Sequence, residues 1–235
     1  MMISKMSLKL GVSWKKIIQW VAIALLIILV LGFFIKVAVW EDHYYREMEG
    51  SERVEVSKEE KPEQEELIEI PPTEEEVYEY IVAEDRPRYL TVPSLGIYNS
   101  RILPMGINDD GALSTPNNIF DVGWYESSGR PGYGQTMLID GHNGGPHVHG
   151  VFKDLPNLSL GDIITVERGD GAVFNYSVME NVEIPLDEAD MYMATAMKSP
   201  ENGKESITLI SCSGEWSDSR YTYLSRQFVR AVLVS

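Results

Sequence analysis

Residues 86–235 are predicted to form a mainly β domain, a barrel or a sandwich, on three observations. Short apolar runs recur there with turn residues between them, the pattern of all-β folds. Phe174, Tyr176 and Val178 alternate with Asn175 and Ser177, the two-residue period of a strand. Helical patches are confined to Val151 to Leu155 and Leu186 to Met197. The apolar runs, in order, are Tyr89–Val92 before Pro93; Gly96-Ile97 leading to Ile102-Leu103; Thr136–Asp140 before Gly141; and Ile163–Val166 between Gly161 and Gly169. Phe174–Val178, Thr208–Cys212 and Phe228–Val234 complete the set.

Ahead of this domain the charge divides the chain twice. Its 235 residues carry a formal net charge of −16, which argues against nucleic acid as a partner. Residues 1–40 hold five Lys and no acid, whereas residues 41–85 hold 18 of the 36 acids and four bases. From Ile17 to Ile35 the run IIQWVAIALLIILVLGFFI has Gln19 as its only polar residue. About 20 apolar residues suffice to cross a hydrocarbon core. Lys5, Lys9, Lys15 and Lys16 precede it, and Glu41 and Asp42 follow. That asymmetry sets the N-terminus in the cytoplasm and the rest of the chain outside. A cleavable signal peptide is the competing reading, but its apolar core is usually about 7–15 residues long, and Val37-Ala38-Val39 is a weak cleavage site. Residues 1–40 are therefore expected to be a cytoplasmic tail and a single-pass anchor in membrane lipid.

Residues 41–85 are expected to be an acidic extracytoplasmic stalk, largely disordered. Glu dominates, Pro62, Pro71 and Pro72 interrupt it, and few large apolar residues are available to offset ordering entropy. Val77 to Val82 is the part suited to dock on the domain. A calcium role for the glutamates is a weaker reading than a solvated spacer.

The run Thr208-Leu209-Ile210-Ser211-Cys212 ends on the only cysteine in the chain. A thiol at a strand end is rigidly held and opens on a cleft, as a nucleophile must be. The plain alternative is a small buried hydrophobe. A lone cysteine makes no intramolecular disulfide, so the fold depends on its core. Outside the cell an unpaired thiol is a liability, which favours a chemical role. The domain's three histidines all lie in Gly141-His142-Asn143-Gly144-Gly145-Pro146-His147-Val148-His149. His142 leaves the TMLID strand directly, whereas His147 and His149 follow glycines and a proline. Zinc ligation by these groups finds no support in CxxC or HExxH spacing, and neither a metal nor another cofactor is expected. Among Arg220, Arg226 and Arg230, the cation for a developing oxyanion is best sought at Arg226, where the last strand opens.

These residues resemble a known family. TLISC, followed fourteen residues later by Arg226, is similar to the TLxTC…R signature of sortases. MLIDGHNGG and GVFKDLPNLSLGDIITV resemble the sortase histidine region, and YLTVPSLGI, GALSTP and Trp124…Pro131-Gly132 are also similar. The resemblance covers residues 86–235. It implies the closed eight-stranded sortase barrel, with Cys212 as nucleophile, His142 as general acid/base and Arg226 as the oxyanion-side cation. Ser211, where the family has Thr, keeps the hydroxyl, and Ser211 and Thr208 are implied to support the oxyanion and substrate. There is no C-terminal membrane segment and no Asp-Pro-aromatic lid in the stalk, which points away from the pilus-polymerising class, while YLTVPSLGI and GHNGG look closest to class E or F.

The resemblance further implies an enzyme of the bacterial cell membrane that cleaves an LPxTG-like sorting motif after Thr. Its partners would be surface proteins bearing that motif and an amine acceptor, either a cell-wall precursor peptide or a pilin lysine. Reference values of roughly 8.5 for Cys and 6.5 for His make the thiolate–imidazolium pair a minority state unless neighbouring charges favour it. Two rivals remain at this point: a thiol hydrolase that resolves the same intermediate with water, and a non-catalytic tethered β-domain with Cys212 buried and inert.

Overall fold

The structure, a computed structural model, describes residues 36, 67–108 and 111–235. All of these except residue 36 belong to one compact unit, Gln64–Ser235. The expected anchor at 17–35 and the stalk as far as residue 66 lie outside the described residues. Among the described residues no helix is long and apolar enough to cross a membrane.

Eight strands close into a barrel: β1 (Pro87–Val92), β2 (Ile97–Met105), β3 (Val122–Tyr125), β4 (Thr136–Gly141), β5 (Ile163–Arg168), β6 (Val173–Pro185), β7 (Ser206–Ser217) and β8 (Thr222–Leu233). Around the ring the order is β1-β2-β3-β4-β7-β8-β6-β5. Closure leaves no sheet edge to aggregate. The pairs β2–β3 and β4–β7 are parallel and the other six antiparallel. The β4–β7 pairing joins segments about 70 residues apart in sequence.

Side-chain alternation then sorts each strand into two faces. Met137 and Ile139 of β4, Ile207 and Leu209 of β7, and Val229 and Ala231 of β8 fill the interior with Trp124 and Tyr176. Leu138, Ile210 and Phe228 point the other way, into a second apolar cluster with Ala189 and Ala196. Those alanines belong to a helix at Leu186–Ala196, which roofs this outer face. Tyr192 of that helix packs on Phe228 with ring centroids 4.8 Å apart, and the Thr208 hydroxyl donates to Ala196 O at 2.6 Å.

Four features depart from the sequence reading. β3 was not expected, because four residues containing a glycine give little periodic signal. The patch at Val151 to Leu155 forms turns and one 3₁₀ turn, Leu155–Asn157, since Pro156 supplies no N–H and disfavours helix at the residue before it. β7 and β8 run past Cys212 and start before Arg226, so both residues sit inside strands. The ladder shifts register between Ser213 and Trp216, where Gly214 has φ 77°; such a bulge bends a strand while extending it.

The fourth departure is at residues 67–85, which compositional reasoning assigns to the stalk. Thr73 and Glu76 form a capping box that starts α1 (Glu74–Tyr78), and Ile68 bridges Asn118. Tyr89 donates its hydroxyl to Val77 O, and Arg88 Nε donates to Tyr80 O at 2.8 Å. The compact unit thus begins at Gln64 rather than at Arg86. Aromatic and backbone contacts outweigh the like charge of the glutamates, which stay on the solvent side. With α1 so defined, the Leu186–Ala196 helix is α2.

Candidate active site

The outer face of β4, β7 and β8 carries the residues that the sequence singles out. On β7 the side chains of Thr208, Ile210 and Cys212 share that face, and Cys212 is opposite Arg226 of β8 in the antiparallel ladder. On β4, Asp140 is level with Ile210; carrying the register on by two residues brings His142 level with Cys212. Cys212 and Arg226 therefore face each other across β7 and β8, which are spaced by about 4.8 Å, and His142, one residue past the end of β4, prolongs that row. Ile184 of β6 continues the row beyond Arg226.

His142 is clamped on both sides. Its carbonyl accepts from Phe152 N at 2.9 Å. A Cβ on Gly150 would come within 2.3 Å of that same oxygen, so the close approach requires glycine. The ring is fixed by Nε2, 2.8 Å from Pro116 O. A carbonyl only accepts, so Nε2 carries the hydrogen, and Nδ1 is left to exchange a proton. Burial lowers the His142 pKa, an effect the Pro116 carbonyl partly opposes. His147 and His149 are exposed in a small loop closed by the Gly144–His149 bridge, with His147 N donating to Glu69 Oε1 at 3.1 Å.

Cys212 is partly buried. Burial pushes its thiol up, Arg226 draws it down, and Asp140 pushes it up again. With the imidazole lowered and the thiol raised, the resting pair is neutral near pH 7, and the thiolate–imidazolium pair is the minority form. Arg226 donates from Nη1 to Tyr223 O and Ser225 O at 3.1 and 2.9 Å and from Nη2 to Thr222 Oγ1 at 3.3 Å. These bonds aim the guanidinium while leaving N–H groups for a further acceptor.

Ser211 and Thr208 stand elsewhere. Ser211, one residue from Cys212, points to the opposite side of β7 and donates to Gly141 O at 2.9 Å. Thr208 shares the face of Cys212 but is four residues along the strand, with its hydroxyl on Ala196 O. The first pins β7 to β4 behind the row; the second holds the end of α2. Arg220 pairs with Asp187 at an exposed site, and Arg230 pairs with Glu180 and Lys198 O below the row. Two groups that sequence reasoning missed are Pro116, whose carbonyl orients His142, and Asp140, an acid inside an apolar run two residues before His142. That misplaced charge was the signal that could have found Asp140.

Similar solved structures include sortase C of Streptococcus pneumoniae, with 19% identity, 71% of this chain and 75% of that one covered, and a TM-score of 0.48. A sortase D5 transpeptidase of Clostridium perfringens has 21% identity, coverage of 70% and 90%, and a TM-score of 0.45. Sortase C-1 of Actinomyces oris has 21%, 68% and 78%, and 0.47 in the same measures. No curated protein matches the chain. The sequence model of the sortase domain matches residues 90–234, more than half of the chain and all of the barrel except the first three residues of β1. The chain belongs to the sortase family.

Proposed function

We propose that the protein is a membrane-anchored cysteine transpeptidase that cleaves an LPxTG-like motif after Thr and transfers the acyl part to an amine. The observation that supports it best is the row formed by Cys212 and Arg226, paired across β7 and β8, with His142 one residue past the end of β4. In this reading residues 17–35 hold the protein in the bacterial cell membrane, with the N-terminus cytoplasmic and the barrel outside. The substrates are surface proteins carrying the motif, and the acceptor is a cell-wall precursor peptide or a pilin lysine.

The chemistry runs in two halves. The Cys212 thiolate attacks the Thr carbonyl carbon, and the oxyanion that forms is met by N–H groups of Arg226. The C–N bond to Gly breaks as the His142 imidazolium gives the proton on Nδ1 to the departing amine, leaving a thioester. The incoming amine then attacks that thioester while Nδ1 takes its proton. The C–S bond breaks, and the thiolate and imidazolium are restored.

The test incubates the full chain in detergent with sorting peptides and candidate amines and follows both products and intact protein mass. The expected result is a thioacyl adduct on Cys212 that an amine resolves into a new amide. Cys212→Ala should form no adduct and turn over nothing while its melting temperature stays close to that of the parent. Resolution by water alone would replace transfer with hydrolysis. Retained cleavage in Cys212→Ala would remove the nucleophile from the scheme.

A further inference from the structure

Asp140 is a buried acid beside the proposed chemistry that none of its steps uses. It is 6% exposed, in register with Gly123 of β3 and Ile210 of β7, and on the same face of β4 as His142. Its carboxyl leans over Gly123: a Cβ there would lie 2.3 Å from Asp140 Oδ1, 2.8 Å from Met105 Cγ and 3.1 Å from Pro116 Cδ. Only glycine admits the acid at this point. Thr115 stands near the carboxyl and opposes the effect of burial on it, while Oδ1 is buried without a hydrogen-bond partner. Pro116, the residue after Thr115, supplies the carbonyl that accepts from His142 Nε2.

These contacts form one connected path. The acid packs over Gly123 beside Pro116, the loop presents the Pro116 carbonyl, and that carbonyl sets which nitrogen of His142 carries the resting proton. We infer that Asp140 is a positioning residue of the site: seated over Gly123, it fixes the Thr115-Pro116 peptide, and through it His142 in the tautomer that frees Nδ1, while its own charge state biases the Cys212 thiol.

Charge is the second part of that role. Burial pushes Asp140 up to about 7, with Thr115 opposing, and its negative form disfavours a thiolate on Cys212. Among the described residues, the titratable and charged groups on its face include His142 just past β4, Tyr125 on β3, Cys212 on β7 and, past Cys212, Arg226 and Arg230 on β8. The residues nearest the carboxyl, Met105, Gly123, Thr115 and Pro116, do not titrate. A protonated Asp140 thus holds the loop without opposing the thiolate. As pH rises past about 7, the carboxylate opposes it.

The role assigned to Asp140 rests on the reading of Cys212 and His142 given above, and its two deciding readouts need no peptide. The rate of Cys212 alkylation by iodoacetamide is followed against pH in the full chain. In parallel, imidazole nitrogen shifts of His142 report its tautomer, assigned by comparison with His142→Gln. Asp140→Asn keeps the shape of the acid and removes its charge. It should move the alkylation midpoint to lower pH by on the order of half a unit or more and leave the Nε2–H tautomer in place. Thr115→Val removes the hydroxyl at nearly constant shape. It should mix the tautomers and lower peptide turnover roughly tenfold at an unchanged KM. An unmoved midpoint in Asp140→Asn, or an unmoved tautomer in Thr115→Val, would overturn the role. Both expected shifts in a protein that turns over no sorting peptide would uphold it and sink the transpeptidase reading instead.

Discussion

The parallel pair β4–β7 has a buried acid near each end, and the two acids are treated differently. At the start of β7, Glu205 is 7% exposed and accepts from Gly132 N at 2.9 Å, Gly134 N at 2.7 Å and the Tyr176 hydroxyl at 2.7 Å. At the far end of β4, Asp140 is equally buried but has Thr115 near its carboxyl and one oxygen with no partner. Desolvation disfavours both charges, and only the first is compensated by a full set of donors. Glu205 ties the 132–134 turn to the barrel wall, and Tyr176 is pushed upward by burial and by that acid. Full satisfaction marks the carboxyl that holds the fold. The deficit marks the end of the strand pair where His142 and Cys212 stand.

The largest test of this contrast is at the reactive end. His142→Ala should lower turnover of a sorting peptide by about 100- to 10,000-fold, the usual range for loss of a general acid/base. His147→Ala and His149→Ala, exposed in their loop, should each cost about tenfold or less. The measurement is kcat at saturating peptide, with a melting curve for each variant. A loop histidine as damaging as His142 with the fold intact would dissolve the row.

Next come two conservative substitutions that should act in opposite directions. Glu205→Gln replaces an acceptor oxygen by an NH₂ that faces N–H or O–H donors, so at pH 8 it should destabilise by about 2–3 kcal/mol. Asp140→Asn removes a charge that the fold disfavours. Because Asp140 is raised in the fold to about 7, its contribution is full below the ordinary carboxyl range near 4 and is lost as pH rises through about 7. The stability of Asp140→Asn relative to the parent should therefore improve between pH 4 and pH 8, by on the order of a few kcal/mol. Urea unfolding at the two pH values reads both effects. A destabilised Asp140→Asn at pH 8, matching Glu205→Gln, would erase the distinction.

Much of this architecture was legible because a strand writes its two faces into its sequence. Phe174, Tyr176 and Val178 gave β6, and Leu186 to Met197 gave α2, since period alone separates those cases. Cys212, His142 and Arg226 were singled out through strand placement and through motifs resembling sortases, although the strands of Cys212 and Arg226 extend past the ends assigned to them. What stayed hidden depends on distance or on company. The pairing that levels His142 with Cys212 joins segments with no local signal of one another. Pro116 acts through its carbonyl, which every residue has. Glu-rich composition hid the ordered segment 67–85, because averages over a window conceal a few well-placed aromatic and apolar side chains.

The smallest effect sharpens the same contrast at a hydroxyl in that hidden segment. Tyr80 donates its hydroxyl to Ile102 O of β2 at 2.5 Å, and its ring lies 6.2 Å from that of Tyr89. Burial raises its phenol to about 12, with Asp121 adding to the shift, so the donor persists across the ordinary pH range. Like Glu205, it is a polar group matched to a backbone partner, though only half-buried. Tyr78, two residues earlier, is 83% exposed. Tyr80→Phe keeps the ring and removes one donor, leaving Ile102 O short of a bond, and should cost about 1 kcal/mol. Tyr78→Phe should change nothing measurable. The difference is read as a shift in urea midpoint on the full chain, together with the rate of proteolytic nicking within residues 67–85. Equal, negligible effects of the two substitutions would mean that the segment does not rest on β2 through Tyr80. A loss confined to Tyr80→Phe, accompanied by faster nicking, would make residues 67–85 part of the barrel's own stability.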